Sequence, residues 1–317
     1  MINVLYQFDD NYAPYAGVSI LSLLEHNKGE ELTVYCAAMD VSAHNTERIN
    51  EQIVRYGQKV IWIDTSYAVE MIESLNVGKW NGSYATWIKM FVIHRLEDDI
   101  DRLLYLDCDT IVEGNLSGIN SIDLGACPLA CAYDSVSQNI AGKIGTEAYY
   151  NAGVILFNVR KWKEEGFFEK MFEHLKANVN SYPDNEQRLI NDYFRSRIML
   201  LPVNYNMQCT HLAYSDGSYF AVYKKKPYYS PKEIEEARKN PVVYHFFRFL
   251  GDYPWEENNL HPMRDMYFHW KERSLWSDDL LKKNHKSSIF TIEKTLYRIL
   301  PQRVFLRIFK LVHEHVE

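Results

Sequence analysis

One stretch of the sequence reads Leu103-Leu104-Tyr105-Leu106-Asp107-Cys108-Asp109-Thr110. Its four apolar residues are typical of a buried strand, and two carboxylates, one residue apart, follow them directly. Negative charges this close raise each other's pKa unless a cation neutralises them, so the pair predicts a divalent metal with oxygen ligands, of the magnesium or manganese kind. The alternative is a strand that ends in a polar turn, in which Asp109 begins an Asx-turn.

Short apolar runs alternate with helical patterns on both sides of this stretch. Runs that are apolar throughout suit parallel strands covered on both faces, so the alternation predicts an α/β fold with a mostly parallel central sheet flanked by helices. Ligands bind such sheets at the carboxyl ends of the strands. Asp9-Asp10 and Asp107-Cys108-Asp109 both fall at such ends. The predicted strands span residues 2–8, 32–37, 60–63 and 103–106, and the predicted helices span 16–24, 46–56 and 83–96.

The second half of the chain has a less regular pattern. Its predicted elements are a strand at 152–159, helices at 167–179 and 186–194, and an irregular stretch, rich in Pro and Tyr, from 202 to 254. No internal repeat or low-complexity linker is visible in the sequence. We therefore predict one catalytic domain at residues 1–260 and a C-terminal helical extension at 261–317.

The composition is that of a globular protein with an uneven distribution of charge. The chain has 317 residues, of which 47% are apolar, and this is ample for a substantial core. Its net charge of −7 argues against a general nucleic-acid binder. Residues 282–317 hold eight Lys or Arg and three Glu, a net of +5, which leaves −12 for the first 281 residues. An acidic body therefore carries a basic tail.

The cysteines and the amino terminus favour a cytoplasmic location. Five scattered cysteines are poor material for a disulfide framework. Cys127 and Cys131 are four apart, but no second Cys or His pair accompanies them at zinc-site spacing. The sequence begins with a strand pattern rather than with a signal peptide, and no uncharged apolar run approaches the roughly 18 residues that span a bilayer.

The tail, residues 288–317, carries apolar and basic side chains at helical spacing, and Pro301 divides it into two halves. Both halves have the pattern of a basic amphipathic helix. This pattern suits peripheral attachment to the anionic inner face of a plasma membrane, at about 1 kcal/mol per basic residue near the surface. A helix that docks on its own catalytic domain has the same pattern, so both interpretations stay open.

Four separated motifs carry a resemblance to a known family. They are Asp9-Asp10-Asn11-Tyr12, the stretch from Arg102 to Thr110, Tyr149-Tyr150-Asn151-Ala152-Gly153-Val154, and His245 followed by Gly251 and Pro254-Trp255. With them, residues 2 to about 255 resemble the family 8 retaining glycosyltransferases, the group that includes bacterial lipopolysaccharide galactosyltransferases and glycogenin. Together the motifs are specific to the family, though not to a particular sugar.

The resemblance implies a GT-A type fold that binds a UDP-sugar, with Mn²⁺ or Mg²⁺ held by Asp107, Asp109 and His245 against the diphosphate. The chemistry is reasonable, because a divalent ion stabilises the charge that builds on the diphosphate when the sugar leaves. A neutral imidazole beside two carboxylates also suits Mn²⁺. Taken alone, His245 would more often be a core histidine.

Asp9, Asn11 and Tyr12 match the family's nucleoside pocket. In that interpretation a carboxylate accepts from the uracil imide, an amide reaches the ribose, and an aromatic face stacks on the base. The same residues also fit a turn with an N-cap before the next helix.

Two positions depart from the family pattern. Lys89 stands where the family's donor-sugar helix usually has arginine. The lysine keeps the positive charge but lacks the planar guanidinium fork that binds two oxygens. Tyr253 stands where the family often has a lysine before Pro-Trp. The phosphate charge then needs another cation, and Arg248 is the nearest candidate. Gly251, in the same motif, completes the expected donor site.

Retention of anomeric configuration would ordinarily call for a carboxylate nucleophile, and the sequence offers no clear one. By resemblance, Glu186 binds donor hydroxyls, Gln187 faces the anomeric carbon, and Asp134 and Asn151 lie near the sugars. An amide is a poor nucleophile, so we favour a same-face displacement in which the leaving diphosphate helps remove the acceptor's proton. Alternatively, Glu186 and Gln187 are simply residues of the first turn of a helix, where they favour the helix dipole.

These expectations combine into one functional hypothesis with two alternatives. The hypothesis is a Mn²⁺-dependent retaining glycosyltransferase that moves galactose or glucose from a UDP-sugar to a saccharide or glycolipid acceptor at the inner face of the plasma membrane. One alternative is a metal-dependent phosphatase of the haloacid dehalogenase type, since an apolar strand followed by Asp107-Cys108-Asp109-Thr110 fits its nucleophile motif. The other is a sugar-binding protein without turnover.

Overall fold

The computed structural model describes residues 1–79, 82–135, 148–182, 186–215, 218, 229–283 and 288–313. The strands in these residues are β1 (Ile2–Asp9), β2 (Leu32–Met39), β3 (Lys59–Ile63), β4 (Arg102–Leu106), β5 (Thr110–Val112), β6 (Leu129–Tyr133), β7 (Tyr150–Asn158), β8 (Ile198–Leu200), β9 (Met207–Gln208) and β10 (Val243–His245). The α-helices are α1 (Ala13–His26), α2 (Ala43–Arg55), α3 (Ser66–Leu75), α4 (Ala85–Val92), α5 (Val159–Glu164), α6 (Phe167–Asn178), α7 (Glu186–Tyr193), α8 (Cys209–Ala213), α9 (Pro231–Lys239), α10 (Arg264–Lys271), α11 (Ser288–Ile299) and α12 (Gln302–His313).

The large sheet has seven strands in the order β3-β2-β1-β4-β7-β6-β8. Strand β7 runs antiparallel to both neighbours, and the other pairs are parallel. The predicted α/β fold with a mostly parallel sheet is therefore confirmed. Because β1 and β4 are adjacent, with Val4 opposite Leu104, their carboxyl ends bring Asp9 and Asp107 to the same edge. This edge is where a parallel sheet binds ligands.

A small sheet in the order β5-β10-β9 lies beyond this edge. Its first strand begins directly after Asp109, so the two carboxylates lie at the junction between the two sheets. Strand β10 pairs antiparallel with β5, and the pairing places His245 opposite Thr110. A ladder between strands far apart in the sequence thus brings the histidine to the carboxylates.

Some predicted elements need correction. The predicted helix 83–96 is α4 followed by a short 3₁₀ helix, Ile93–Arg95, and α3 precedes it. The stretch 202–254 is not irregular throughout its described part, since it contains α9 and β10. Helix α9 begins with a capping box, in which Ser230 and Glu233 bond each other's backbone N–H groups.

The predicted boundary at residue 260 does not coincide with a break in packing. Met263, Tyr267, Trp270 and Trp276 are buried in the same cluster as the side chains of β1 and α1. A Cβ at Gly17 would lie 2.0 Å from the Trp276 ring, so this close approach of ring and helix requires glycine. The segment up to 283 therefore packs as part of the body.

The tail forms two helices, α11 and α12, on either side of Pro301, as predicted. They dock on the body, because Phe305 and Leu306 are buried against Tyr214, Phe249 and Leu250. Other apolar side chains of the two helices remain exposed: Ile289, Ile292, Ile299, Val304, Ile308, Leu311 and Val312. No helix within the described ranges is both long enough and apolar enough to cross a membrane.

Candidate active site

Two carboxylates and one imidazole converge at the junction of the two sheets. The Nε2 atom of His245 lies 3.2 Å from Oδ1 of Asp109 and 3.7 Å from Oδ2 of Asp107. One ligand atom from each residue can be chosen so that all three lie within 4.8 Å of one another. The histidine is buried, whereas the Asp107 side chain is 33% exposed. The three groups therefore leave one side open, as a metal that binds a substrate requires.

The hydrogen bonds of His245 fix which nitrogen faces the carboxylates. Its Nδ1 atom lies 3.1 Å from Oδ1 of Asn151 and 3.3 Å from Oδ1 of Asn206. Because both amide oxygens are acceptors, Nδ1 carries the proton and Nε2 presents a lone pair to the two aspartates. A lone pair that faces two carboxylates is stable only when a proton or a cation lies between the imidazole and the carboxylates. The donor set, two carboxylates and an imidazole with its outer N–H bonded, fits a divalent cation.

Gly153 is required by this cluster. A Cβ at this position would lie 2.0 Å from Cε1 of His245 and 2.7 Å from Oδ2 of Asp107. The backbone also helps, since the carbonyl of Gly153 accepts the N–H of Asp107 at 2.8 Å. The glycine of the Asn151-Ala152-Gly153 motif therefore makes room for the candidate metal ligands.

The pKa values of Asp109 and His245 are both raised. Burial raises the pKa of Asp109, although His245 beside it opposes the shift. Burial lowers the pKa of His245, but the carboxylates of Asp109 and Asp107 outweigh it, and the pKa of the imidazole is raised. Tyr105, in strand β4, donates a hydrogen bond to Asp107. The cluster is thus electrostatically suited to a cation.

A cavity of about 560 Å³ opens beside the two aspartates. Asp9, Asn11 and Tyr12 line it at the end of β1, where Oδ1 of Asp9 also accepts the N–H of Tyr12 at 3.1 Å. The turn and the pocket are thus formed by the same residues. Asp10 turns away and accepts hydrogen bonds from Ser42 at the start of α2.

A buried hydrogen-bond network connects the expected sugar-site residues to the histidine. Asn151 donates to Oδ2 of Asp134 at 3.1 Å, and its oxygen is the one that faces His245. Gln187 accepts the N–H of Ala152 at 2.9 Å and donates to Asp134 at 3.3 Å. The structure therefore brings Asp134, Asn151 and Gln187 together beside the candidate metal ligands.

Lys89 lies beside Glu186 and is not among the residues that line the cavity. It is 1% exposed; its ammonium lies 2.5 Å from Oε1 of Glu186 and 4.2 Å from the centroid of the Tyr105 ring. Burial raises the pKa of Glu186, although Lys89 opposes the shift. The other carboxylate oxygen, Oε2 of Glu186, is buried and has no hydrogen-bond partner among the residues that the structure describes. Lys89 is therefore paired with Glu186 here, not with a phosphate.

Arg248 and Gly251, both in the last motif, have different surroundings. Arg248 lines the cavity, with its guanidinium 5.1 Å from the centroid of the Tyr253 ring. Gly251 does not line it: the residue has φ +78°, and a Cβ there would lie 2.6 Å from the Phe290 ring of α11. The tail thus covers the glycine that was expected in the donor site.

Sequence reasoning missed three residues of the site. Asn206 orients His245, and Gln7 bonds the N–H of Lys89 at 2.7 Å and the carbonyl of Thr86 at 3.1 Å. Lys282, from the segment before the tail, lines the cavity. No spacing rule could have found Asn206 or Lys282, because each reaches the site through a different part of the fold.

Residues 3–259 match the family model described as "Glycosyl transferase family 8". The chain belongs to glycosyl transferase family 8. It is therefore a glycosyltransferase, which decides against the phosphatase and the non-catalytic sugar-binding alternatives.

Two relatives of this family 8 glycosyltransferase align with it over most of their own length. General stress protein A of Bacillus subtilis is 25% identical over 278 residues, which cover 85% of this chain and 92% of that protein. Lipopolysaccharide 1,2-glucosyltransferase of Escherichia coli K12 is 25% identical over 316 residues, 96% of this chain and 87% of that one. The crystal structure of the galactosyltransferase LgtC in complex with donor and acceptor sugar analogues has a TM-score of 0.70 and 20% identity, covering 86% of this chain and 96% of that one. This likeness confirms the predicted GT-A type fold.

Proposed function

We propose that the protein is a metal-dependent retaining hexosyltransferase. It moves galactose or glucose from a UDP-sugar to a saccharide or glycolipid acceptor in lipopolysaccharide or exopolysaccharide synthesis. The observation that carries the proposal is the convergence of Asp107, Asp109 and His245 at a cavity that Asp9 and Tyr12 also line. Family membership and the relative named as a lipopolysaccharide 1,2-glucosyltransferase support the acceptor class.

The donor's uridine fits the end of β1. Tyr12 offers an aromatic face, and stacking on a base contributes roughly 1–3 kcal/mol in nucleic-acid systems. Asp9 uses Oδ1 for the N–H of Tyr12, which leaves Oδ2 for the uracil imide. Asn11 is exposed at the cavity and supplies an amide for the ribose.

Asp107, Asp109 and His245 hold the metal in this proposal. Bound there, Mn²⁺ or Mg²⁺ supplies Lewis-acid stabilisation of negative charge on the leaving diphosphate. Asn151 and Asn206 keep the Nε2 lone pair of the histidine available, because their side-chain oxygens accept the hydrogen bond that Nδ1–H donates.

Transfer occurs by same-face displacement. Asp134 is buried and bonded to Asn151 and Gln187, which makes it a positioning group rather than a nucleophile. The oxygen of Gln187, held by the N–H of Ala152, stabilises the positive charge that develops at the anomeric carbon. The acceptor hydroxyl gives its proton to the leaving diphosphate. Oε2 of Glu186, which has no partner within the described ranges, accepts a hydrogen bond from a donor hydroxyl.

The tail attaches the enzyme to the inner face of the plasma membrane. Its docked side, with Phe305 and Leu306, faces the body, while exposed apolar residues on both helices lie among basic ones. The docking and membrane interpretations of the tail are thus compatible. An apolar stripe flanked by Arg and Lys suits an anionic lipid surface.

The metal site is tested by thermal unfolding with a panel of UDP-sugars, with and without Mn²⁺. The correct donor raises Tm only with Mn²⁺, since a ligand at about a hundred times its Kd stabilises the native state by about 2.7 kcal/mol. Asp109→Asn abolishes the Mn²⁺-dependent part of the shift. The matched control is Asp265→Asn, an exposed carboxylate outside the cavity. Full activity of Asp109→Asn would refute the proposed metal site.

A further inference from the structure

The cavity lacks a cation at the motif position where one was expected. Tyr253 occupies it, and its ring stacks on Trp255 with centroids 4.5 Å apart. Of the last motif, Arg248 is the cationic residue that lines the cavity. The three aspartates of the lining outnumber it, and a nucleoside diphosphate would add further negative charge.

Lys282 also lines this cavity, although it belongs to none of the four sequence motifs. Its N–H donates to the carbonyl of Trp255 at 3.3 Å, and its carbonyl accepts the N–H of Glu257 at 3.0 Å. Two backbone hydrogen bonds thus fix the lysine beside the end of the last motif. Its side chain lines the same cavity as Asp107 and Asp109.

The side chain of Lys282 has no competing use in the described part of the chain. It is exposed and forms no ion pair with a carboxylate there. Lys283, the next residue, is equally exposed but does not line the cavity. A lysine that lines the cavity and is anchored at its backbone can bind phosphate oxygens as a point charge.

We propose that Lys282 binds the diphosphate of the donor and supplies the cation that position 253 lacks. The inference rests on the proposed function, because it takes the cavity as the donor site. It assigns a diphosphate-binding role to the segment that connects the body to the tail.

The experiment measures the Kd of UDP and of uridine by calorimetry at saturating Mn²⁺. Lys282→Ala weakens UDP about tenfold, since a hydrogen bond to a charged group contributes about 1.5 kcal/mol or more. Uridine, which lacks the phosphates, binds unchanged. Lys282→Arg keeps the charge and stays near wild type, and Lys283→Ala is the matched control. Adding Tyr253→Lys to Lys282→Ala restores part of the lost affinity.

Three results would count against the proposal in distinguishable ways. Equal UDP affinity in Lys282→Ala and Lys283→Ala overturns it while the donor site stands. Tighter Mn²⁺ binding with unchanged UDP affinity in Lys282→Ala also overturns it, since the lysine then only neutralises the aspartates. If the wild-type protein binds Mn²⁺ but not UDP, the proposed function fails, and this inference fails with it.

Discussion

Gly153 is the residue at which the site has least room. An added methyl group would lie 2.0 Å from Cε1 of His245 and 2.7 Å from Oδ2 of Asp107, so Gly153→Ala must displace one of the two. We expect at least a tenfold loss of Mn²⁺-dependent UDP affinity, with about 1–3 kcal/mol of lost stability from overpacking. Calorimetry and urea unfolding measure the two effects. Gly29→Ala, where a Cβ meets nothing within 4 Å, is the control; equal Kd values for both variants would contradict the assignment.

Single residues divide into those that a local motif predicts and those that only the fold can place. Asp107 and Asp109 follow a strand whose apolar run is visible in the sequence, so their position at the sheet edge could be predicted. Lys89 could not be assigned, because its direction depends on Glu186, a partner from another helix. The surroundings of Gly251 could not be predicted either, since the tail residue Phe290 covers it.

Helix α11 is held to the body by an ion pair as well as by apolar contacts. Nζ of Lys294 lies 2.7 Å from Oδ2 of Asp252, which is fully buried. Lys294→Met keeps the apolar stem and removes a partner of a buried carboxylate, so we expect a loss of about 1–3 kcal/mol in the free energy of unfolding. Urea unfolding measures it. In Lys232→Met, whose pair with Glu236 is exposed, we expect a change within about 0.5 kcal/mol. Equal stability of the two variants would show that the buried pair does not hold the helix.

Elements were predictable in proportion to their length and apolar pattern. Strands β1, β2 and β4 are largely apolar and appear within a few residues of the predicted bounds. Two helices have recognisable sequence patterns that the apolar runs alone do not reveal. In α3, Ala68, Ile72 and Leu75 have helical spacing, and in α9, Ser230 and Glu233 have the spacing of a capping box. Strands β9 and β10 have two and three residues. Such short pairings depend on tertiary contacts, not on local sequence.

The whole molecule combines an acidic body with a basic tail whose two sides have different surroundings. One side of the tail packs on the body, and the other exposes apolar residues on both helices, of which Ile299 is 68% and Leu311 70% exposed. Because the first 281 residues carry a net charge of −12 and the rest +5, we expect an anionic surface to attract the tail and repel the body.

This arrangement predicts binding to anionic lipid vesicles, weakened by salt and absent with neutral vesicles. Changing Ile299 and Leu311 together to Asp should lower the vesicle-bound fraction at least tenfold, because each side chain gains about 1.5–3 kcal/mol when fully buried in apolar surroundings. Both side chains are exposed, so the fold should tolerate the changes. Val54→Asp alters a 62% exposed apolar residue on the body and should leave binding unchanged. Co-sedimentation measures the bound fraction, and the double variant binding as well as Val54→Asp would refute attachment through the tail.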